Sequence, residues 1–182
     1  MYIQEIKIPK DRVGVLIGTD GKFKKRLEKK TKTKIDVDSE TGFVEIKGED
    51  SVTLYVLKDV VQAIGRGFSP EIAEKLLKED TLLEIVNIQD FSGKSKKKMD
   101  RLRGRVIGTK GKGRTMVEQI TNTKISVYGK TVAVVGRIED VIIAKEAVES
   151  LLSGSPHGNI YRWLLDKKKK QTKREIEDGA IN

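Results

Sequence analysis

The sequence predicts an α+β chain built from two successive copies of one module. Three observations predict it. The stretch Leu16-Ile17-Gly18-Thr19-Asp20-Gly21-Lys22 returns ninety residues later as Val106-Ile107-Gly108-Thr109-Lys110-Gly111-Lys112. Residues 14–37 and 104–127 align without a gap, and twelve of these 24 pairs are identical. Around each copy the apolar spacing reads strand, helix, glycine turn, helix, strand, strand, helix.

The elements follow in order. Residues 2–8 alternate, with Tyr2, Gln4, Ile6 and Ile8 on one face, and Pro9 stops the strand. Asp11 to Ile17 is a short helix, broken by Gly18-Thr19-Asp20-Gly21. Lys22 to Lys30 is a second helix with Phe23 and Leu27 inward. Lys34–Asp38 and Phe43–Lys47 alternate as strands around the turn residues Ser39 to Gly42. Ser51 to Ile64 is a helix whose inner stripe is expected at Val52, Val56, Val60 and Ile64. Ser69 and Pro70 read as N-cap and first residue of a connecting helix, whose Ile72, Leu76 and Leu77 pack against a module.

The second copy starts with an expected strand over Thr81–Phe91. A basic and flexible insertion, Ser92 to Lys98, has no counterpart in the first copy. The second hairpin is two residues shorter than the first. Val132–Val135 is a strand and Val141–Leu152 a helix, ended by Ser153 to Pro156. One further helical turn is expected over Asn159–Leu165, and the charged segment from Lys167 to Asn182 is expected to fray. The modules are therefore 1–67 and 81–166, with a linker at 68–80 and a charged tail at 167–182.

Composition narrows the function classes. The 182 residues contain no cysteine and one histidine, His157. Disulfides and thiolate metal sites are excluded, and a His-based zinc or triad site is disfavoured. No apolar run approaches the roughly 18 residues of a membrane span, and Met1 to Glu5 carries no signal pattern. No cofactor, metal or membrane partner is expected, and the default location is the cytoplasm. The net charge is +10, but residues 1–80 hold 16 basic and 15 acidic groups. The second half carries almost all the excess, which favours a polyanionic partner there.

The glycine turn explains what such a partner would meet. A helix that ends in Gly-x-x-Gly and restarts at once leaves N–H groups without intrahelical partners, at the positive end of the new helix. The glycines allow the sharp turn and the close approach of another backbone. Such a turn grips a phosphate-sugar chain through main-chain donors, aided by neighbouring Lys and Arg.

The pattern Ile-Gly-x-x-Gly-Lys, then helix, Thr-x-Thr-Lys-Ile-x-Val, hairpin and helix, resembles the type I KH domain. The resemblance covers residues 2–64 and 81–152. It implies a three-stranded antiparallel sheet covered on one face by three helices, and a loop that clamps about four single-stranded nucleotides. The pair of modules, with Arg101-Leu102-Arg103-Gly104-Arg105 and the Ser155-to-Arg162 segment, is similar to archaeal members of the double-KH partner-of-Nob-one/Krr ribosome-assembly family. That likeness implies small-subunit rRNA near its 3′ end as target. It implies a processing endonuclease, an rRNA dimethyltransferase or an initiation factor subunit as partners. Eukaryotic relatives have degenerate glycines in the first module, whereas both pairs are intact here.

The residues expected to meet RNA are Gly18, Thr19, Asp20, Gly21 and Lys22 in the first copy. In the second they are Arg101, Arg103, Arg105, Ile107, Gly108, Thr109, Lys110, Gly111, Lys112 and Arg114. Asp20 would face phosphate where its counterpart Lys110 would attract it, so the second module is expected to supply most affinity. The arginines alternatively form a solvated helix face. Gly108 to Thr115 nearly fits a P-loop, but Arg114 replaces its lysine and a helix precedes it where a strand is required. His157, between Pro156 and Gly158, reads as a turn residue. A protein-binding adaptor presenting Ile160, Trp163 and Leu164, and a single-stranded DNA binder, are the alternative readings.

Overall fold

The computed structural model describes residues 1–179. The chain divides into two compact units, Met1–Leu83 and Glu84 onward.

In the first unit β1 (Tyr2–Lys7) is followed by α1 (Lys10–Ile17), α2 (Lys22–Thr31), β2 (Lys34–Asp38), β3 (Phe43–Gly48) and α3 (Ser51–Gly65). The strand order is β1–β3–β2, antiparallel throughout, with Ile6 opposite Val44 and Ile35 opposite Ile46. Alternation puts Ile35, Val44 and Ile46 on the inner face, fully buried. Val13 and Leu16 of α1 and Phe23 and Leu27 of α2 are buried with them. Each such side chain contributes roughly 1.5–3 kcal/mol by leaving water.

The stripe expected on α3 holds at Val60 and Ile64, which are fully buried, and is corrected at its N-terminal half. Val52 is 69 % exposed, and the buried positions are Leu54, Leu57, Val60, Val61, Ala63 and Ile64. A strict four-residue spacing drifts about 40° around the helix at each step. The 3–4–3 spacing of Leu54, Leu57, Val61 and Ile64 stays on one side, so that face wins the core. Asp50 caps this helix, accepting from the N–H groups of Val52 at 3.3 Å and Thr53 at 3.0 Å. These bonds, with that from the Thr53 hydroxyl first among them, hold its carboxyl below the usual carboxylate range. A depressed folded value gives stability above the unfolded value of about 3.9 that is lost as pH falls through the folded one. Asp50→Ala lowers the melting temperature by a few degrees at neutral pH, and the difference shrinks in acid. Paired thermal melts at the two pH values check it.

Ser69 stands at the N-cap position of α4 (Pro70–Ala73), which runs into a tight turn over Glu74–Leu77. Ala73 and Leu76 are buried, and the segment packs against α3. Glu74 also receives Arg26 at 2.8 Å and Lys30 at 3.3 Å, tying it to α2.

The second unit repeats the plan with β4 (Thr81–Asn87), α5 (Gln89–Ser92), α6 (Lys96–Ile107), α7 (Lys112–Thr121), β5 (Lys124–Tyr128), β6 (Thr131–Arg137), α8 (Ile138–Leu152) and α9 (His157–Glu177). Its strand order is β4–β6–β5. Three expectations are corrected here. The first strand ends at Asn87, because the Asn87 side chain accepts from Gln89 N–H at 3.0 Å and turns the chain into α5. Ile88 is then fully buried and its N–H reaches Lys130 O at 2.8 Å, as Ile8 N–H reaches Gly42 O at 2.9 Å in the first unit. The basic insertion is not loose throughout: Ser95 Oγ accepts from Lys98 N–H at 3.2 Å, and Lys96 to Lys98 form the first turn of α6.

The segment expected to fray continues instead as helix through Glu177. Some of its charges are paired, and one pair reaches into the core. Lys168 Nζ lies 2.6 Å from Asp140 Oδ1, and Asp140 is buried. Gln171 donates to Asp140 and to Glu139 at 3.1 Å each. Ile160 and Leu164 are buried, and α9 packs against α7 and α8. A polar sequence holds as helix because its partners sit at the start of α8. The last part of the expected tail, residues 180–182, lies outside the described residues.

Candidate nucleic-acid interface

Between α1 and α2, and again between α6 and α7, the backbone follows one path. Gly18 and Gly108 have φ, ψ of 74°, 171° and 72°, 174°. Asp20 and Lys110 are left-handed at 54°, 26° and 52°, 32°, and Gly21 and Gly111 follow at 71°, 13° and 76°, 6°. A Cβ on Gly18 would stand 2.8 Å from Phe23 Cβ, and one on Gly108 would stand 2.5 Å from Gly113 N. The first glycine is therefore required both by its positive φ and by the closeness of the next helix. Gly113 occupies the position of Phe23 and lets α7 begin against the loop. That packing accounts for the extra glycine that made the stretch resemble a P-loop, and the segment ahead of it is the helix α6.

In both turns a ten-residue helix starts directly after the second glycine, so its opening N–H groups lack i−4 partners within that helix. The first of them, of Lys22 and of Lys112, is bonded to Thr19 O and Thr109 O. The side chains of the two turns differ. In the first, Thr19, Asp20 and Lys22 are exposed, and Lys22 sits 3.9 Å from Asp20. Both partners face solvent, so the pair is weak and the carboxylate stays in the loop's field. In the second, Thr109, Lys110 and Lys112 are exposed, and among the described residues neither lysine is in an ion pair. Arg114 lies 4.0 Å from Glu118, and Ile107 is 36 % exposed at the end of α6.

The three arginines of α6 separate. Arg101 is exposed, and Arg103 lies 3.6 Å from Asp100. Arg105 is turned away to other acceptors: its Nε donates to Leu151 O at 2.9 Å and its guanidinium to Ser155 O at 2.6 Å. It clamps the end of α8. Arg12 does the same for α3, through Ile64 O at 2.8 Å and Phe68 O at 2.7 Å. The two clamps stand at different positions of their helices, so the ninety-residue register hides their equivalence. His157 Nε2 lies 2.8 Å from Arg105 O and belongs to the same joint. Ile160 and Leu164 are in the core, and Trp163 is half-buried with Lys167 Nζ 5.4 Å from its ring centre.

About half of the repeated residues serve structure. Glu28 accepts from Ile35 N–H at 2.8 Å, and Glu118 from Ile125 N–H at 2.7 Å. The hydroxyls of Thr31 and Thr33 lie 2.7 Å apart, and those of Thr121 and Thr123 2.8 Å. These residues weld each second helix to the strand that follows. Glycines, Thr19/Thr109 and Lys22/Lys112 remain as the loop's own set. Among the described residues no cluster of ligating side chains for a metal ion is found, and no helix is long and apolar enough to cross a membrane.

Residues 3–60 match the KH domain model, and residues 82–170 match that of a eukaryotic type KH-domain (KH-domain type I). A KH domain-containing protein of Methanocaldococcus jannaschii is 47 % identical over 179 residues, 96 % of this chain and 78 % of that protein. The pre-rRNA-processing protein pno1 of Aspergillus fumigatus is 28 % identical over 164 residues, 87 % of this chain and 65 % of that protein. A crystal structure of an a/eIF2alpha–aDim2p–rRNA complex from Pyrococcus horikoshii contains a chain 48 % identical, with TM-score 0.85. The match covers 93 % of this chain and 95 % of that one.

Proposed function

This chain belongs to the family of double KH-domain proteins that includes pno1 and aDim2p, and on that premise we propose that it binds single-stranded RNA as a small-subunit ribosome-assembly factor. The carrying observation is the pair of matched Gly-x-x-Gly turns, of which the second presents Lys110 and Lys112 with no ion-pair partner among the described residues. Main-chain donors and the α7 dipole hold the phosphates, and the lysines add charge without asking for a particular base. The binding modules are residues 1–67 and 81–166, joined by 68–80. Contacts fall on Gly18 to Lys22, more weakly, and on Ile107 to Lys112, Arg114, Arg101 and Arg103. Arg105 acts through the α6–α8 joint. The role is binding, not catalysis, and its place is the cytoplasm.

The name of the Aspergillus relative supports pre-rRNA as the target class. The Pyrococcus complex supports rRNA and an initiation factor α subunit as partners. A processing endonuclease and an rRNA dimethyltransferase complete the proposed set. Crosslinking in cells that express the protein, followed by sequencing of the bound RNA, recovers small-subunit rRNA near its 3′ end. Recovery of no rRNA overturns the assembly reading. The Pyrococcus complex also favours a second reading, an adaptor that joins rRNA to the initiation factor. Competition by a matched DNA oligonucleotide separates RNA preference from general single-strand binding.

A further inference from the structure

The near-neutral charge of the first unit conceals an uneven surface. Between residues 22 and 32 lie seven basic groups and one acid, Glu28. They fall into two sets. Lys24 is held by Glu28 at 3.1 Å, and Arg26 and Lys30 by Glu74. Lys25, Lys29 and Lys32 are exposed, and among the described residues they enter no ion pair. With Lys22 they occupy one side of α2 within an arc of about 80°, along about 15 Å of helix. This side faces neither α1 nor the sheet.

The duplicated unit supplies an internal control. At the register-matched positions α7 and its cap carry Thr115, Gln119 and Asn122. The helices have the same length and the same cap geometry, with Lys32 at φ 53° and Asn122 at φ 54°. The fold therefore does not need lysine at these places. At position 32 it even accepts a residue less suited to the left-handed cap than the asparagine of the other unit. Helix-dipole complementarity favours Lys29 and Lys32 at the C-terminal end of α2 but not Lys25, which stands in the first turn, where a cation is unfavourable.

We infer that the Lys25–Lys29–Lys32 side of α2 is a further RNA-binding surface, a sequence-blind track for the phosphate backbone that runs on from the first glycine loop, where the Lys25 side chain lies beside Gly21. The side exposes no aromatic ring, since the one aromatic of α2, Phe23, is buried, so it offers charge and no platform for stacking bases. A duplex strand presents one phosphate per 3.4 Å of axis, so a track of this length spans about four. The inference rests on the RNA-binding reading above and gives the weaker first loop a charged neighbour that compensates for Asp20.

The test replaces the three lysines in the full chain by the residues of the other unit: Lys25→Thr, Lys29→Gln and Lys32→Asn. A control removes the same charge from α9 through Lys167→Gln, Lys169→Gln and Lys170→Gln. Affinity for a hairpin RNA with a single-stranded tail is measured across a salt series. Wild-type binding itself secures the underlying reading; its absence overturns that reading and this one together. Given wild-type binding, the α2 variant weakens binding several-fold and reduces the slope of log K against log salt by about 2, at roughly 0.7–0.9 per phosphate lost. The α9 control leaves the slope near wild type. An unchanged slope in the α2 variant, or an equal change in both, overturns the inference alone.

Discussion

Replacing Thr109 and Lys110 together by Asp lowers the affinity of the full chain for single-stranded RNA about a hundredfold and leaves its melting temperature near wild type. Both residues are exposed on the second turn. Losing a lysine contact to phosphate removes about 1.5–3 kcal/mol. Two carboxylates facing phosphates add about 1 kcal/mol or more of repulsion under partial screening. The sum, about 2.5–4 kcal/mol, spans the roughly 2.8 kcal/mol that corresponds to a hundredfold. The fold is spared because Lys110 has φ 52°, a conformation that Asp tolerates better than Lys does. Asp20 already occupies the same conformation at φ 54°. Fluorescence-anisotropy titration and a thermal melt of the same preparation check both halves of the expectation.

Lys168→Met destabilises the protein by about 3 kcal/mol, because it leaves the Asp140 carboxylate buried without its cation. Asp140 is 1 % exposed and Lys168 is 2.6 Å away, so the charge has no route to water while α9 stays in place. Gln171 still donates at 3.1 Å but brings no charge. The double variant Lys168→Met with Asp140→Asn recovers most of the loss, since no uncompensated ion remains. Urea denaturation of the single and double variants measures it. A loss under about 1 kcal/mol for the single variant means that the pair does not hold the helix.

The helix α9 shows where sequence reading stops. Its segment from Lys167 is charged on every side, which by local propensity predicts fraying. What holds it is a carboxylate at Asp140 and a lysine 28 residues later. The clamps are of the same kind: Arg105 reaches Leu151 and Ser155, 46 and 50 residues away. Such pairs leave no periodic trace: sequence spacing groups Arg105 with Arg101 and Arg103, whereas its guanidinium is bonded to two backbone carbonyls. On α3 the four-residue spacing marks Val60 and Ile64 correctly but misses Leu54, Leu57 and Val61, whose 3–4–3 spacing with Ile64 keeps to the core side.

The repeat itself was legible, and so was the loop. Gly18 and Gly108 are fixed by backbone geometry that no other residue satisfies, and that requirement is written in the sequence as a pair of matching glycines. The register of identities was less selective. It marked Glu28, Thr31 and Thr33 as strongly as Thr19 and Lys22, although the former weld helix to strand. The basic side of α2 leaves no trace in the net charge of residues 1–80, where acidic groups elsewhere cancel it.

The central claim is that two turns of one shape differ in grip because one carries Asp20 and the other Lys110. It is tested most directly by titrating one single-stranded RNA against three full-length proteins at fixed salt: wild type, Thr19→Asp, and Thr109→Asp with Lys110→Asp. The expected result is a loss of about a hundredfold for the second-loop variant and within about threefold for the first-loop variant, half a decade or about 0.7 kcal/mol. A larger loss from Thr19→Asp than from the second-loop pair would contradict it.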